Sequence, residues 1–167
     1  MRIPSRAQVD AFCGAPSTLY QRIAGILAPA LLLGSLACIL VLWHSLPEQI
    51  PSHYDAAGRI DGYGSRGTLL IMPVIGLVGD LAIALVSRFP RSWNTGVRLT
   101  VLNRTRIYRL VRDLMADLRL SMALLFAGFG LYLASLPEHF SGWVAGVLTA
   151  LVLVPLLRYF IRLPRAR

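Results

Sequence analysis

Four long apolar runs dominate the pattern of hydrophobic and polar positions along the chain. They cover residues 23–43, 68–86, 120–136 and 143–161, which is 21, 19, 17 and 19 residues. At about 1.5 Å per helical residue, each spans roughly 25–32 Å, close to the hydrocarbon thickness of a bilayer. Only Asp80 and Arg158 are charged within these runs. The pattern predicts an all-α integral membrane protein with four transmembrane helices.

Composition supports this class, because 56% of the 167 residues are apolar and only 15% are charged. The basic residues are all arginines, and 15 of the 17 fall on one side of the predicted membrane. Positive charge concentrates on the cytoplasmic side of membrane proteins. We therefore expect a multi-pass protein of a bacterial plasma membrane with both termini cytoplasmic. The predicted organisation is a cytoplasmic tail (1–22), a membrane domain (23–161) with an outer loop (44–67) and a cytoplasmic loop (87–119), and a second tail (162–167).

The cytoplasmic loop carries a second pattern. From Val97 to Leu118, apolar residues recur mostly every three or four positions, with arginines between them. This spacing predicts a basic amphipathic helix that lies in the lipid headgroups or continues the third span into the cytoplasm. Anionic lipids are the expected partners of these arginines. An acidic cytoplasmic protein is an alternative partner, whereas nucleic acid is not expected, because no stacking aromatic residues or known motif accompany the arginines.

The outer loop is unusually rich in polar and turn-forming residues. The segment Ile50–Arg66 holds one histidine, two aspartates, two arginines, two tyrosines and three glycines. We expect residues 52–55 and 59–61 to pair as two short strands of an extracellular β-hairpin. Turns are expected at Gly58 and at Asp61-Gly62, since glycine accepts positive φ. Carboxylates of the loop are the expected partners of its two arginines.

Several roles are open to this hairpin. The simplest is a self-satisfied cap over the helices that binds nothing. Histidine and carboxylate side chains collect at this face and could form a zinc site: His44, His53, His139, Glu48, Asp55, Asp61 and Glu138. No pair has helical ligand spacing, and no serine or cysteine nucleophile signature is present. We therefore predict no metal, no cofactor and no enzymatic activity, although His53 and Asp61 offer an acid and a base.

The residues expected to matter in the hairpin fall into two groups. His53 and Asp61 are expected to lock it together, while Arg59, near the tip, is expected to face a partner. The full set of motif or binding residues is His53, Tyr54, Asp55, Gly58, Arg59, Asp61 and Arg66.

The stretch "LPEQIPSHYDAAGRIDGYGSR", residues 46–66, resembles the membrane family known as domain of unknown function 1648. The matching positions are Pro47, Ile50, Pro51, His53, Tyr54, Gly58, Asp61, Ser65 and Arg66. Part of that family is related to the immunity protein of a bacterial sporulation-delaying toxin system. The resemblance implies a membrane protein that senses a secreted peptide or protects against it. That relative is expected to have six spans, whereas four are predicted here.

Two other functions stay open. The chain is short enough to be an accessory subunit of a larger membrane complex. It is alternatively a small ion-coupled transporter that uses Asp80. An acid deep in a span costs roughly 2.5–3.5 kcal/mol on insertion scales, so a residue of this kind is a candidate functional site. The structural alternative is an ion pair between Asp80 and Arg22, Arg119 or Arg158 near the cytoplasmic end of the bundle.

Overall fold

A computed structural model describes residues 17–100 and 102–166, so residues 1–16 of the predicted N-terminal tail, Val101 and Arg167 lie outside the described part. Each predicted span coincides, to within a few residues, with a helix that is long and apolar enough to cross a membrane. A two-stranded antiparallel sheet separates the first two helices. The elements are α1 (Leu19–Val41), β1 (Gln49–Tyr54), β2 (Ile60–Ser65), a 3-10 turn (Arg66–Leu70), α2 (Ile71–Ser87), a second 3-10 turn (Pro90–Ser92), α3 (Arg104–Ala134) and α4 (Gly142–Ala166). The predicted fold class is confirmed.

Helix boundaries differ from the predicted spans where polar side chains bond to the backbone. α1 begins four residues early because Thr18 and Gln21 form a reciprocal capping box. The amphipathic segment and the third span form one helix of 31 residues, which begins at Arg104 and not near Val97. The side chains of Thr100 and Asn103 each accept the other's backbone N–H. This local turn delays the helix start.

α1 and α3 pack along a line of small residues. The buried positions of α1 are Ala24, Ala28, Leu32, Ser35 and Ile39, at spacings of three and four. α3 faces them with Ala123, Ala127, Gly130 and Ala134. Small side chains let helix backbones approach closely, which favours association in lipid.

α2 packs beside this pair through two glycines. A Cβ atom at Gly76 would lie 2.4 Å from Leu32 and 2.9 Å from Phe126. At Gly79 it would lie 2.8 Å from Met122. The absence of side chains therefore sets how closely α2 approaches α1 and α3.

The bundle has two distinct ends. The hairpin and the α3–α4 connection, residues 135–141, meet at one end, which we call the hairpin end. The connection between α2 and α3 lies at the other end, the terminal end, where the Tyr159 hydroxyl donates to the carbonyl of Thr95. Between residues 19 and 166 the chain thus crosses the bundle four times in alternating directions.

Candidate functional site

The hairpin is longer than its sequence predicts. Its register pairs Gln49 with Ser65 and Tyr54 with Ile60, with irregularities on both sides of His53. Gly58 lies in the turn as predicted, but Asp61-Gly62 lies within β2, so the turn predicted there is wrong. Gly62 serves the pairing instead, because a Cβ atom there would lie 3.0 Å from the Cβ of His53.

Asp55 organises the turn between the strands. One carboxylate oxygen accepts the backbone N–H groups of Ala57 and Arg59 at 2.9 and 2.8 Å. The other accepts the Arg59 Nε–H at 2.9 Å. The backbone hydrogen bond from Arg59 is the main reason that the pKa of Asp55 lies below its ordinary value. The ionised carboxylate therefore stabilises the turn.

The hairpin tip is docked on the α3–α4 connection. The Phe140 N–H donates to the Gly58 carbonyl at 2.8 Å, and Arg59 forms an isolated β-bridge with His139. The Tyr54 hydroxyl donates to the Pro137 carbonyl at 3.0 Å, and its ring lies 5.6 Å from that of Phe140. We call residues 49–65 together with 137–140 the hairpin platform. These contacts join the tip of the hairpin to the connection between α3 and α4.

Gly58 makes this docking possible. Its φ is +80°, which glycine accepts readily. A Cβ atom there would lie 2.4 Å from the Phe140 carbonyl oxygen and 2.9 Å from the His139 ring. No larger residue fits without separating the two loops.

Arg66 anchors the base of the platform. Its guanidinium donates to the carbonyls of Trp43 and Leu46 at 3.0 and 2.9 Å and lies 4.9 Å from the centre of the Trp43 ring. The carboxylate partner expected for Arg66 is thus replaced by backbone oxygens just beyond α1. A cation suits this place because the C-terminal end of a helix carries partial negative charge.

Three side chains project from the anchored platform. His53 Nδ1 lies 2.5 Å from an oxygen of Asp61 across the strands, so the pair expected to lock the hairpin is in contact. His53 and Arg59 nevertheless keep 73% and 76% of their side chains exposed. Arg59 is exposed as expected, but it also bonds to Asp55 within the turn. Tyr63, for which the sequence alone predicts no role, is 65% exposed.

The residues weighed for a zinc site do not converge in the described part of the chain. No three histidine, cysteine, aspartate or glutamate side chains between residues 17 and 166, Val101 aside, are placed to hold one ion. His53 contacts Asp61 in one strand pair, while His139 lies beside the turn. The platform is therefore a polar surface without a visible coordination site.

Asp80, the predicted intramembrane site, is paired with Arg119, one of its three expected partners. Two hydrogen bonds of 2.7 and 2.9 Å join the carboxylate to the guanidinium, which also donates to the Gly25 carbonyl. Asp80 is only 4% exposed. The ion pair joins α2, α3 and α1, and whether it also serves transport stays a prediction to be tested.

A second ion pair, between Asp117 and Arg158, lies nearby and was not predicted. The carboxylate accepts two hydrogen bonds, of 2.8 and 3.0 Å, from Arg158 and one from the hydroxyl of Tyr20. Gln21 donates to Asp113 at 2.9 Å. Asp117 precedes the predicted third span (residues 120–136), so the sequence pattern does not predict its burial. The two ion pairs hold all four helices together near the terminal end.

These features define a multi-pass membrane protein with an ordered hairpin between its first two helices. Residues 30–77 match the model of a family described as a domain of unknown function (DUF1648). The chain therefore carries this domain, as the resemblance predicted, and the match includes all seven motif residues of the hairpin but ends before Asp80.

The chain is also similar to an uncharacterized protein of Archaeoglobus fulgidus. The two are 33% identical over 82 residues, which is 45% of this chain and 40% of the archaeal protein. The match thus spans less than half of that relative. No solved structure is significantly similar to the chain.

Proposed function

We propose that the protein is non-enzymatic and that its hairpin platform binds an extracellular peptide or protein, in a sensing or protective role. The observation that carries this proposal is the combination of a fixed platform and exposed polar and aromatic side chains. Docking at Gly58 and anchoring at Arg66 fix the backbone, so little ordering entropy opposes binding. His53, Arg59 and Tyr63 face outward, and tyrosine and arginine are enriched among residues that dominate binding energy.

The proposed orientation places the platform outside the cell. It follows from the arginine distribution, because among residues 17–100 and 102–166 only Arg59 and Arg66 lie at the hairpin end. The proposed location is accordingly the plasma membrane, with both termini in the cytoplasm. A platform on this side meets secreted molecules.

Site-specific photo-crosslinking tests the proposal in native membranes. A photoreactive residue at Tyr63 is expected to give a discrete adduct, whereas one at the exposed Ser92, at the opposite end, gives no adduct of that size. Tyr63 is the best position because it is exposed and makes no hydrogen bond whose loss would unfold the hairpin. Equal labelling at both positions, or none at Tyr63, would contradict the proposal.

An accessory-subunit role is the second candidate, and α4 favours it. Gly142, Gly146 and Ala150 recur every four residues on one exposed face of this helix. Apart from the chain neighbours and the adjacent backbone of α4 itself, no described atom lies within 4 Å of a Cβ built at either glycine. Such a face suits close packing of another membrane helix. Gly146→Leu is expected to release a co-purifying subunit on a native gel, with Gly128→Leu, which is equally open on α3, as control. An unchanged complex would contradict this role.

A further inference from the structure

The terminal end of the bundle carries a basic cleft between α3 and α4. Its volume is about 220 Å³, and four arginines line it together with Thr105, Leu110 and Asp113: Arg106 and Arg109 from α3, and Arg162 and Arg165 from α4. The lining therefore carries three net positive charges. We call these residues the arginine cleft.

The four arginines lack the carboxylate partners found elsewhere in the molecule. Arg59, Arg119 and Arg158 each form an ion pair. Among residues 17–100 and 102–166, none of the four cleft arginines forms one. The carboxylate of Asp113 already accepts a hydrogen bond from Gln21. Like charges that crowd one cleft repel each other, and a bound anion would relieve that repulsion.

The backbone adds to this positive field. The cleft includes Thr105 and Arg106, in the first turn of the 31-residue α3. No acidic residue lies in that turn, and the side chain of Asn103 does not cap it. The N-terminal end of a helix carries partial positive charge and favours phosphate.

An apolar stripe continues from the cleft along α4. Leu157, Ile161 and Arg165 are spaced by four residues and so share one face of the helix. Leu157 and Ile161 are more than half exposed, as is the neighbouring Phe160. A ligand with a phosphate at the arginines and hydrocarbon along this stripe matches both parts.

We infer that the arginine cleft is a binding site for the headgroup of an anionic phospholipid, whose acyl chains lie along Leu157 and Ile161. Guanidinium groups suit phosphate because they donate two parallel hydrogen bonds. Basic clefts between transmembrane helices are a recurrent form of lipid-headgroup site. The site is separate from the hairpin platform and does not depend on its proposed role.

Lipid binding to the purified full-length protein in neutral detergent tests this site, with short-chain phosphatidylglycerol and phosphatidylcholine as probes. The parent is expected to prefer phosphatidylglycerol. Arg106→Gln/Arg109→Gln and Arg162→Gln/Arg165→Gln should each lose about 30-fold in affinity, since each arginine near an anionic headgroup contributes roughly fivefold. The matched control Arg88→Gln/Arg98→Gln removes the same charge at the same end and should change affinity by less than about threefold.

Other outcomes decide against the inference. Equal losses in the control would mean that net charge, not the cleft, holds the lipid. Displacement of the lipid by equimolar inorganic phosphate would assign the cleft to a soluble anion. If a glutamine variant fails to fold, Arg106→Lys/Arg109→Lys keeps the charge but loses the paired hydrogen bonds. We expect it to retain part of the preference, and its loss of all preference with normal folding would overturn the charge argument.

Discussion

Comparing Gly58→Ala with Gly96→Ala separates two contributions to stability at Gly58: the docking of the hairpin and the backbone strain of its turn. Gly96 is a matched control for the backbone strain. Both glycines have positive φ, +80° and +65°. An alanine in this region costs about 1–2 kcal/mol at either position. Only Gly58 is crowded, since a Cβ there would lie 2.4 Å from the Phe140 oxygen, whereas nothing lies within 4 Å of one at Gly96.

The additional cost at Gly58 follows from the contacts that separation would break. The hydrogen bond from the Phe140 N–H contributes about 0.5–1.5 kcal/mol. The packing of the Tyr54 ring on the Phe140 ring contributes a similar amount. Gly58→Ala should therefore destabilise the protein by about 1–3 kcal/mol more than Gly96→Ala.

Amide hydrogen exchange locates this loss. In Gly58→Ala the Phe140 amide should exchange about 5- to 150-fold faster than in the parent, since each 1.4 kcal/mol corresponds to tenfold. Gly96→Ala should leave that amide unchanged. If the two variants show the same thermal stability and the same Phe140 exchange, the hairpin does not dock on the α3–α4 connection, and the hairpin platform is refuted.

Three further predictions address topology, the intramembrane pair and pH. Single cysteines should label from outside, inside and outside at Ser52, Ser92 and Ser141, respectively; external labelling at the second position would refute both the four-span topology and the proposed orientation. Asp80→Asn should lower stability by about 3–5 kcal/mol because it leaves Arg119 buried and unpaired. The double variant Asp80→Asn/Arg119→Gln should recover part of the lost stability. A well-folded single variant that only abolishes ion flux in vesicles would instead favour the transporter. The pKa of Asp55 is lowered on folding. Its stabilisation of the turn is therefore present above the unfolded pKa of about 3.9 and is lost as the pH falls through the folded pKa. Hydrogen exchange at the Arg59 amide should accordingly accelerate in acid in the parent but not in Asp55→Asn.

The membrane spans could be predicted from the sequence because an apolar run of about twenty residues indicates a segment surrounded by lipid. Their ends could not be placed as well, since they depend on single side chains: Thr18 caps α1 early, and the Thr100–Asn103 turn starts α3 late. The identity of the turn glycine was also predictable, because the turn between the strands needs a residue with positive φ, which glycine accepts readily. Asp61-Gly62 offered an equally good turn by composition, and only strand pairing excludes it.

The docking of the hairpin on the α3–α4 connection could not be predicted from the sequence. Tyr54 and Pro137 lie 83 positions apart, and neither hydrophobic periodicity nor turn chemistry links residues at such a distance. The burial of Asp117 was missed for a related reason, because it precedes the apolar part of α3. Its partners Tyr20 and Arg158 come from two other helices, so only the assembled bundle brings them together.

The Asp80–Arg119 pair has a consequence for how the chain is made. The acid is synthesised 39 residues before its partner, so α2 reaches the lipid while its aspartate has no counter-ion. The rest of α2 is hydrophobic enough for insertion to proceed. A nascent chain that stops after α2 therefore keeps a polar group exposed to hydrocarbon, whereas a complete one covers it as soon as α3 inserts. Burial of Asp80 thus requires the insertion of α3, and it distinguishes finished molecules from chains truncated after α2.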